Sequence, residues 1–190
     1  MARWESGTQE RLQRAALDLF AEHGYDGVTV AQIAAHAGLT ERTFFRWFAD
    51  KREVLFRGQE EFEQAFLTGM TAAPDGDAMS LAMAGLAGGA APFTAERHPW
   101  ARARQRAIDA HPALRERELL KLSALATALT GALTDRGVGP VPAALAAESA
   151  VVVFRTAFTA WIAGDGARPF AEVQAEVLAE LHALLAAARA

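Results

Sequence analysis

The stretch TVAQIAAHAGLTERTFFRWFADKREVLF, residues Thr29–Phe56, decides the fold of this chain. It predicts two short helices joined by a tight turn and followed by a third helix. Thr29 and Gln32 form a capping-box pair that opens the first helix. Apolar residues then recur at helical spacing: Val30, Ile33, Ala34 and Ala37. Gly38 follows the last of them, where a residue with positive φ ends a helix and turns the chain.

The second helix is capped by Thr40, and Leu39 before the cap is placed to pack on Phe44. Phe44 and Phe48, four residues apart, are expected to face inward. The outward positions are then polar or exposed aromatic: Glu41, Arg42, Phe45 and Arg46. A helix, a glycine turn and a second helix that points its N-terminal side chains outward form a helix-turn-helix, whose second helix fits the major groove of B-DNA.

The longer string LFAEHGYDGVTVAQIAAHAGLTERTFFRWFADKREVLF resembles the DNA-binding signature of tetracycline-repressor-like (TetR) transcriptional regulators. The resemblance covers both helices, the turn and the Lys that follows Phe48, about the first third of the chain. It implies an all-α fold with two domains. An N-terminal three-helix, helix-turn-helix DNA-binding domain is expected over residues 1–57, and a C-terminal helical domain for ligand binding and dimerisation over residues 58–190.

The resemblance also implies roles for individual residues. Glu41, Arg42 and Phe45 occupy positions that meet base edges, with Arg46 close by; Arg42 suits a guanine and Phe45 a thymine methyl. Four donors occupy phosphate-contacting positions: Thr29, Thr43, Trp47 and Lys51. With the cap, the expected DNA-binding residues are Thr29, Thr40, Glu41, Arg42, Thr43, Phe45, Arg46, Trp47 and Lys51. Phe45 stands where Tyr is commoner and Trp47 where His or Tyr is commoner, so core packing of either ring is the alternative.

The charge distribution agrees with a local DNA-binding surface. The net charge is −4, but residues 1–57 contain eight basic and eight acidic groups, so the whole excess lies in the remainder. Phosphate contact requires only a local positive stripe, which Glu41–Arg57 supplies with five basic and three acidic groups. Arg3 and Arg11, nearer the N-terminus, are further candidates for phosphate or minor groove, with a solvated tail as the alternative.

Composition excludes several other classes. The chain contains no cysteine, which rules out disulfides and thiolate metal sites. Its first residues include no apolar signal-like run, and the apolar stretch 143–163 is interrupted by Glu148 and Arg155. We therefore expect a cytoplasmic protein without a membrane partner.

The C-terminal domain is expected to bind a small molecule among its helices. A helix from Asp50 to about Met70 would link the two domains, and Gly85 and Gly89 would allow a close helix neighbour. Apolar residues at helical spacing give the candidate lining of an effector pocket: Phe62, Phe66, Met70, Met83, Phe93, Trp100, Phe158 and Trp161. Plain core packing is the alternative for each. Three arginines, Arg102, Arg104 and Arg106, would suit an anionic ligand or simply be solvated.

The last two helices carry apolar residues at coiled-coil spacing: Ala147, Val151, Phe154, Phe158 and Trp161, then Val173, Val177, Leu181, Leu184 and Ala188. Such a seam predicts a homodimer through a four-helix bundle, as the family resemblance also implies, or an intramolecular seam alone.

No nucleophile–base pair, zinc motif or phosphate cradle occurs in the sequence, so we expect neither an enzyme nor a metal or cofactor site. The interpretation is a homodimeric DNA-binding transcriptional regulator, a repressor that a small, largely apolar effector of unknown identity releases from a palindromic operator in double-stranded DNA. The alternative is a small-molecule binding or carrier protein with an unused DNA-binding domain.

Overall fold

The computed structural model describes residues 3–188, with side chains from Gly7 onward, and every regular element in that range is helical. Nine α-helices follow one another along these residues: α1 (Arg3–His23), α2 (Val30–His36), α3 (Glu41–Trp47), α4 (Gln59–Ala72), α5 (Ala78–Gly89), α6 (His98–Asp109), α7 (Pro112–Asp135), α8 (Pro140–Ala163) and α9 (Phe170–Ala187). Short 3₁₀ turns at Arg52–Leu55 and Ala95–Arg97 precede α4 and α6. The predicted all-α fold is confirmed.

The chain forms two compact units. The first unit runs as far as Arg57 and adds Ala103–Leu119, the end of α6 and the start of α7. The second contains Gly58–Arg102 and the residues from Leu120 onward. The sequence assigns residues 103–119 to the C-terminal domain, whereas in the structure they pack with the first unit.

The core of the first unit is built on α1, whose apolar stripe faces α2 and the first 3₁₀ turn and shares one buried cluster with α3. The largest fully buried side chains of this core, each less than 2% exposed, are Leu12, Ile33, Phe44, Leu55, Ile108 and Leu114. Ile108 and Leu114 belong to the added segment, which explains why residues 103–119 group with this unit.

The single helix predicted from Asp50 to Met70 is wrong. The chain instead makes one 3₁₀ turn at Arg52–Leu55, passes through Gly58 at φ 86°, and only then starts α4. A positive φ is costly for any residue with a Cβ, so Gly58 marks a break that apolar periodicity alone does not reveal.

In the second unit α4 and α5 pack closely through glycines, as the sequence predicts. A Cβ on Gly89 would lie 2.0 Å from the Phe66 ring, and one on Gly88 would lie 2.4 Å from the carbonyl oxygen of Ala65. Ordinary Cβ atoms do not approach other atoms so closely, so only glycine allows this helix spacing. The space between α4 and α5 is therefore filled by backbone and the Phe66 ring.

Helix α8 supplies the central wall of the second unit. Its residues Ala147, Val151, Phe154 and Trp161 are buried within the unit's own core. Among the described residues, one helix, α8, has the length and apolar composition needed to cross a membrane. Of its most apolar segment, 44% is buried inside the protein. A core helix can have the same composition, and nine residues of α8 are buried in the core of this unit.

Candidate DNA-binding surface and aromatic core

The turn between α2 and α3 has the geometry that the sequence predicts. Gly38 has φ 65°, and the N–H of Leu39 donates to the carbonyl of Ala34 at 2.8 Å, which closes the end of α2. The side chain of Arg11 donates to the carbonyl of Ala37 in the same turn. Arg11 therefore holds α1 against the turn and does not reach toward DNA; the side chain of Arg3 lies outside the described residues.

Thr40 caps α3 and fixes where its outer face begins. The Thr40 hydroxyl accepts the N–H of Thr43 at 3.2 Å, and the two hydroxyls lie 3.0 Å apart. Phe44 and Phe48 are buried on the inner side, with their rings 5.2 Å apart. Four side chains of α3 are consequently exposed: Glu41, Arg42, Phe45 and Arg46.

Phe45 is the exposed aromatic of this face. Its side chain is 54% exposed, and it contacts the buried ring of Phe44 edge-on with the centroids 5.6 Å apart. The alternative of plain core packing does not hold for Phe45. Hydration of an exposed phenyl ring is unfavourable in free energy. The ring is therefore suited to an apolar contact with a partner.

Thr29 is occupied by its own helix cap. Its backbone N–H and hydroxyl both donate to Oε1 of Gln32, at 2.7 and 3.0 Å, and the hydroxyl accepts the N–H of Gln32 at 3.2 Å. This is the predicted capping box. It leaves Thr29 no spare donor, so a phosphate contact by its hydroxyl would have to replace the bond to Gln32.

Lys51 has a structural role that its sequence position does not reveal. Its ammonium donates to the carbonyls of Tyr25 and Val28, each at 2.7 Å, and lies 4.0 Å from the centroid of the Tyr25 ring. Partial burial lowers the pKa of Lys51, with the nearby Asp26 acting in the opposite direction. Two of its three N–H groups hold the loop between α1 and α2, so Lys51 is first a strut of the domain.

Trp47 does not present the indole N–H that a phosphate contact requires. Its Nε1 is buried and has no hydrogen-bond partner among the described residues. The guanidinium of Arg46 lies 5.3 Å from the ring centroid, which places the ring under the arginine. For Trp47 the structure favours packing beneath Arg46 over direct contact with DNA.

The segment 103–119 joins the rest of this domain through polar contacts of Arg104 and Arg117 that sequence patterns did not identify. Arg104 donates to the carbonyl of Leu55 at 2.7 Å and to Glu118 at 3.3 Å, and its guanidinium lies 5.0 Å from the Phe56 ring. Burial lowers the pKa of Arg104, which Glu118 partly offsets. Arg117 forms an ion pair with Glu53, which lies outside the segment. The expectation that Arg104 is solvated or meets an anionic ligand is wrong, whereas Arg102 and Arg106 are exposed.

In the second unit the aromatic side chains of α4, α8 and the α5–α6 connection form one cluster. Phe93 is its centre, with ring centroids at 5.9 Å from Phe62, 5.5 Å from Phe158 and 5.9 Å from Trp161. Phe66 joins through Phe62 at 5.0 Å. We call these rings, with Phe154 and Phe170, the aromatic core.

Seven of the eight predicted lining residues lie in or against the hydrophobic core of this unit, and Trp100 does not. Met70 is buried and Met83 is partly buried there, whereas Trp100 is 37% exposed. Two rings of the aromatic core, Phe154 and Phe170, were not among the lining residues predicted from the sequence. Phe154 is on the predicted dimer seam, and Phe170 opens α9 just after a loop, so neither belonged to an obvious inward stripe.

The predicted dimer seam proves to be largely intramolecular. The five seam residues of α8 face the core of their own unit, and on α9 Val173, Val177 and Leu181 pack there as well. Apolar spacing gives the buried side of a helix but not the identity of the element that covers it. Leu184, at 68% exposure, and Ala188 are the two seam residues that remain outside the core.

Comparison with known proteins finds a family that the first unit resembles in sequence. Residues 12–57 match the family described as "Bacterial regulatory proteins, tetR family". The chain is 41% identical over 78 residues to the HTH-type transcriptional regulator TcmR of Streptomyces glaucescens, a match that covers 41% of this chain and 34% of TcmR. The match thus spans about a third of the length of that relative. The matched relatives are transcriptional regulators, a class that is not enzymatic.

Solved structures resemble the fold over nearly the whole chain. FadR from Bacillus subtilis in complex with stearoyl-CoA has a TM-score of 0.58 at 21% identity, and the match covers 89% of this chain and 95% of FadR. The complex of SmeT with triclosan has a TM-score of 0.61 at 20% identity, covering 91% of this chain and 90% of SmeT. At these identities the likeness establishes the fold alone.

Proposed function

We propose that this chain belongs to the tetR family of bacterial regulatory proteins, whose model its first unit matches, and that it is a homodimeric repressor that a small, largely apolar effector releases from a palindromic operator. The observation that carries the proposal is the outer face of α3. Its N-terminal side chains point away from the core, and the helix is capped and seated by Thr40 and Phe44. It acts in the cytoplasm, where a bacterial regulator meets its DNA.

The exposed residues of α3 suit readout of the major groove. Arg42 would donate to O6 and N7 of a guanine, and Phe45 would pack on a thymine methyl. Arg46 and the hydroxyl of Thr43 are near enough to the same face to meet phosphate, which orients the helix without reading sequence. Glu41 fits only where a cytosine amino group can donate to it.

A homodimer is supported by the outward faces of α8 and α9. Of the nine large apolar side chains that are exposed among the described residues, five lie on these two helices: Val141, Leu145, Val152, Leu184 and Leu185. Val141, Leu145 and Val152 are spaced by four and seven residues, so they share one side of α8. A second copy would cover this side in a four-helix bundle, opposite to the side that the apolar spacing first indicated.

Two copies explain how so short a helix selects a site. Paired recognition helices would enter successive major grooves, about 34–36 Å apart. The base pairs that the two helices contact would form an inverted repeat, because a twofold dimer presents the same face twice.

The aromatic core is the proposed effector site. It combines apolar rings from α4 and α8 with Phe93 and Phe170, the composition of a typical small-molecule site among helices. SmeT with triclosan and FadR with stearoyl-CoA share the fold, which supports a small-molecule effector in general without identifying one.

Helix α6 offers a route from the effector to DNA. It contributes His98–Arg102 to the second unit and continues as Ala103–Asp109 in the first. A ligand that redirects α6 would act on Arg104 and hence on Leu55, beside α1 in the DNA-binding unit. A coupling free energy of about 1–3 kcal/mol would weaken operator binding about 5–150-fold.

Replacement of Arg42 by alanine tests the function. Operator affinity should fall by about 1–3 kcal/mol with relaxed preference at one base pair. Arg106→Ala, an exposed arginine of the same unit on α6, is the control and should keep wild-type affinity. Fluorescence anisotropy with the selected operator would measure both. Equal affinity of wild type and Arg42→Ala would reject base readout by Arg42, whereas failure of the wild type to bind any duplex would favour a carrier protein with an unused DNA-binding domain.

Release by an effector has its own test. Anisotropy of the operator complex should fall when a ligand that binds the second unit is added at saturation. Unchanged operator affinity at saturation would remove the coupling, while leaving DNA binding intact.

A further inference from the structure

The core of the second unit contains one polar side chain with an unused hydrogen-bonding atom. Gln174 of α9 is 6% exposed, and its Oε1 is buried without a partner among the described residues. A buried, unpaired amide oxygen costs free energy, so a group in this position needs an explanation.

The orientation of the amide is fixed by its other end. Nε2 of Gln174 donates to the carbonyl of Leu86 at 3.1 Å. A carbonyl can only accept, so exchange of the amide nitrogen and oxygen would set two acceptors against each other. Leu86 lies in the last turn of α5, where helix carbonyls lack intrahelical partners. Half of the glutamine amide therefore has a structural purpose, and the oxygen does not.

The other buried polar groups of this unit already have partners. Nε2 of His98 lies 3.1 Å from the carbonyl of Trp161, and the indole N–H of Trp161 donates to the carbonyl of Arg168 at 3.1 Å. Among the polar residues described as buried in this unit, Gln174 alone retains an unpaired atom. What the core lacks is a hydrogen-bond donor.

Gln174 lies next to the aromatic core. Phe170, one helical turn earlier on α9, has its ring 4.7 Å from that of Phe93. On α5, Leu86 holds the amide of Gln174 three residues before Gly89, the residue that accommodates the Phe66 ring. Because Phe170 and Gln174 are four residues apart, they lie on the same side of α9, and a molecule bound among the rings of the aromatic core would meet that side.

We infer that Gln174 Oε1 is the polar anchor of the effector site and that it selects neutral aromatic ligands that carry a hydrogen-bond donor, such as a phenolic hydroxyl. This inference rests on the proposed function, since it specifies the ligand class of the same site. An ether in place of the hydroxyl leaves the oxygen unpaired. A carboxylate brings negative charge toward an acceptor in an apolar core, which is less favourable still.

Three probes of one ring system test the selectivity: 2-naphthol, 2-methoxynaphthalene and 2-naphthoate, each titrated calorimetrically into the full chain at pH 7. The naphthol should bind about tenfold more tightly than the methyl ether, and the naphthoate should bind most weakly. The wild-type comparison needs no mutation, so it stands even if a variant folds poorly.

Gln174→Met, which keeps the volume and removes both amide atoms, assigns the preference to this residue. The advantage of naphthol over its ether should disappear in the variant, with circular dichroism confirming the helical fold. The control is Gln64→Met, which replaces an exposed glutamine of α4 and should preserve the preference for naphthol over its ether.

Equal affinities of naphthol and ether, an unchanged preference in Gln174→Met, or binding of none of the probes would overturn the inference. Operator binding by the same preparation separates the outcomes. Intact operator binding with no preference for a donor would reject the anchor and leave the regulator, whereas absent operator binding would reject the proposed function itself.

Discussion

At the scale of single residues, the donors near α3 divide into those that hold the domain together and those that are free to meet DNA. Thr29 is bonded to Gln32, and Lys51 to two carbonyls, while Arg42 extends into solvent. Sequence position cannot make this division, because it depends on where the loop between α1 and α2 places its carbonyls.

Lys51→Met should therefore lower the stability of the protein. Two hydrogen bonds from a charged donor would be lost, at about 1–3 kcal/mol of unfolding free energy for a half-exposed group. Arg42→Met, an exposed basic residue of α3, should change stability by less than about 0.5 kcal/mol. Urea unfolding followed by circular dichroism measures both. Similar midpoints for the two variants would mean that Lys51 is not a strut.

Asp50 gives the same domain a pH dependence. Its Oδ1 accepts the N–H groups of Arg52 and Glu53, at 2.8 and 3.2 Å, and Arg52 pairs with it. Burial acts to raise the pKa of Asp50, but these hydrogen bonds outweigh it and the pKa is lowered. The stabilisation is thus present above the unfolded pKa, near about 4, and is lost as pH falls through the folded value.

Asp50→Asn should remove that dependence, since the asparagine Oδ1 can still accept the two backbone N–H groups and the amide cannot titrate. Urea midpoints of wild type should fall more steeply than those of the variant as pH drops below about 4. Parallel curves would contradict the role of the carboxylate.

At the scale of helices, local rules predicted much of the first unit. The capping box of Thr29, the cap of Thr40 and the glycine turn at Gly38 all depend on neighbours within four residues, and all are present. The prediction of one helix across Gly58 was wrong because the apolar spacing continues through Gly58, whereas the positive φ of this residue breaks the helix.

Elsewhere, contacts between residues distant in sequence limited what could be predicted. The spacing along α8 gave the buried face correctly but assigned it to a second copy, because periodicity does not identify the covering element. Arg104 and its ion pair with Glu118 join positions 14 residues apart on two helices, and the partner of Gln174 lies 88 residues away. No sequence pattern links such positions.

The packing of α4 on α5 gives a prediction at this scale. Gly88→Ala places a Cβ 2.4 Å from the carbonyl oxygen of Ala65, so the two helices must separate. We expect a loss of about 1–3 kcal/mol in unfolding free energy. Gly131→Ala, in α7 with nothing within 4 Å, should instead stabilise by about 0.5–1 kcal/mol. Thermal unfolding compares the pair, and a stabilised Gly88→Ala would contradict the tight contact.

At the scale of the whole molecule, the outward faces of α8 and α9 are expected to hold two copies together. Leu145→Glu combined with Val152→Glu puts two charges on the exposed side of α8 and should convert the dimer to a monomer. Leu120→Glu, a leucine of α7 that is 55% exposed, should leave the dimer unchanged. Sedimentation velocity gives the mass of each, and a dimeric double variant would show that another surface pairs the copies.

The most direct measurement is the selection of bound duplexes from a random DNA pool by the full chain at two salt concentrations. We expect an inverted repeat, occupied by two copies of the protein, whose affinity falls steeply as salt rises because phosphate contacts release counterions. Salt-sensitive binding without an enriched motif would contradict sequence readout by α3. Failure to retain any duplex would contradict the assignment as a DNA-binding regulator.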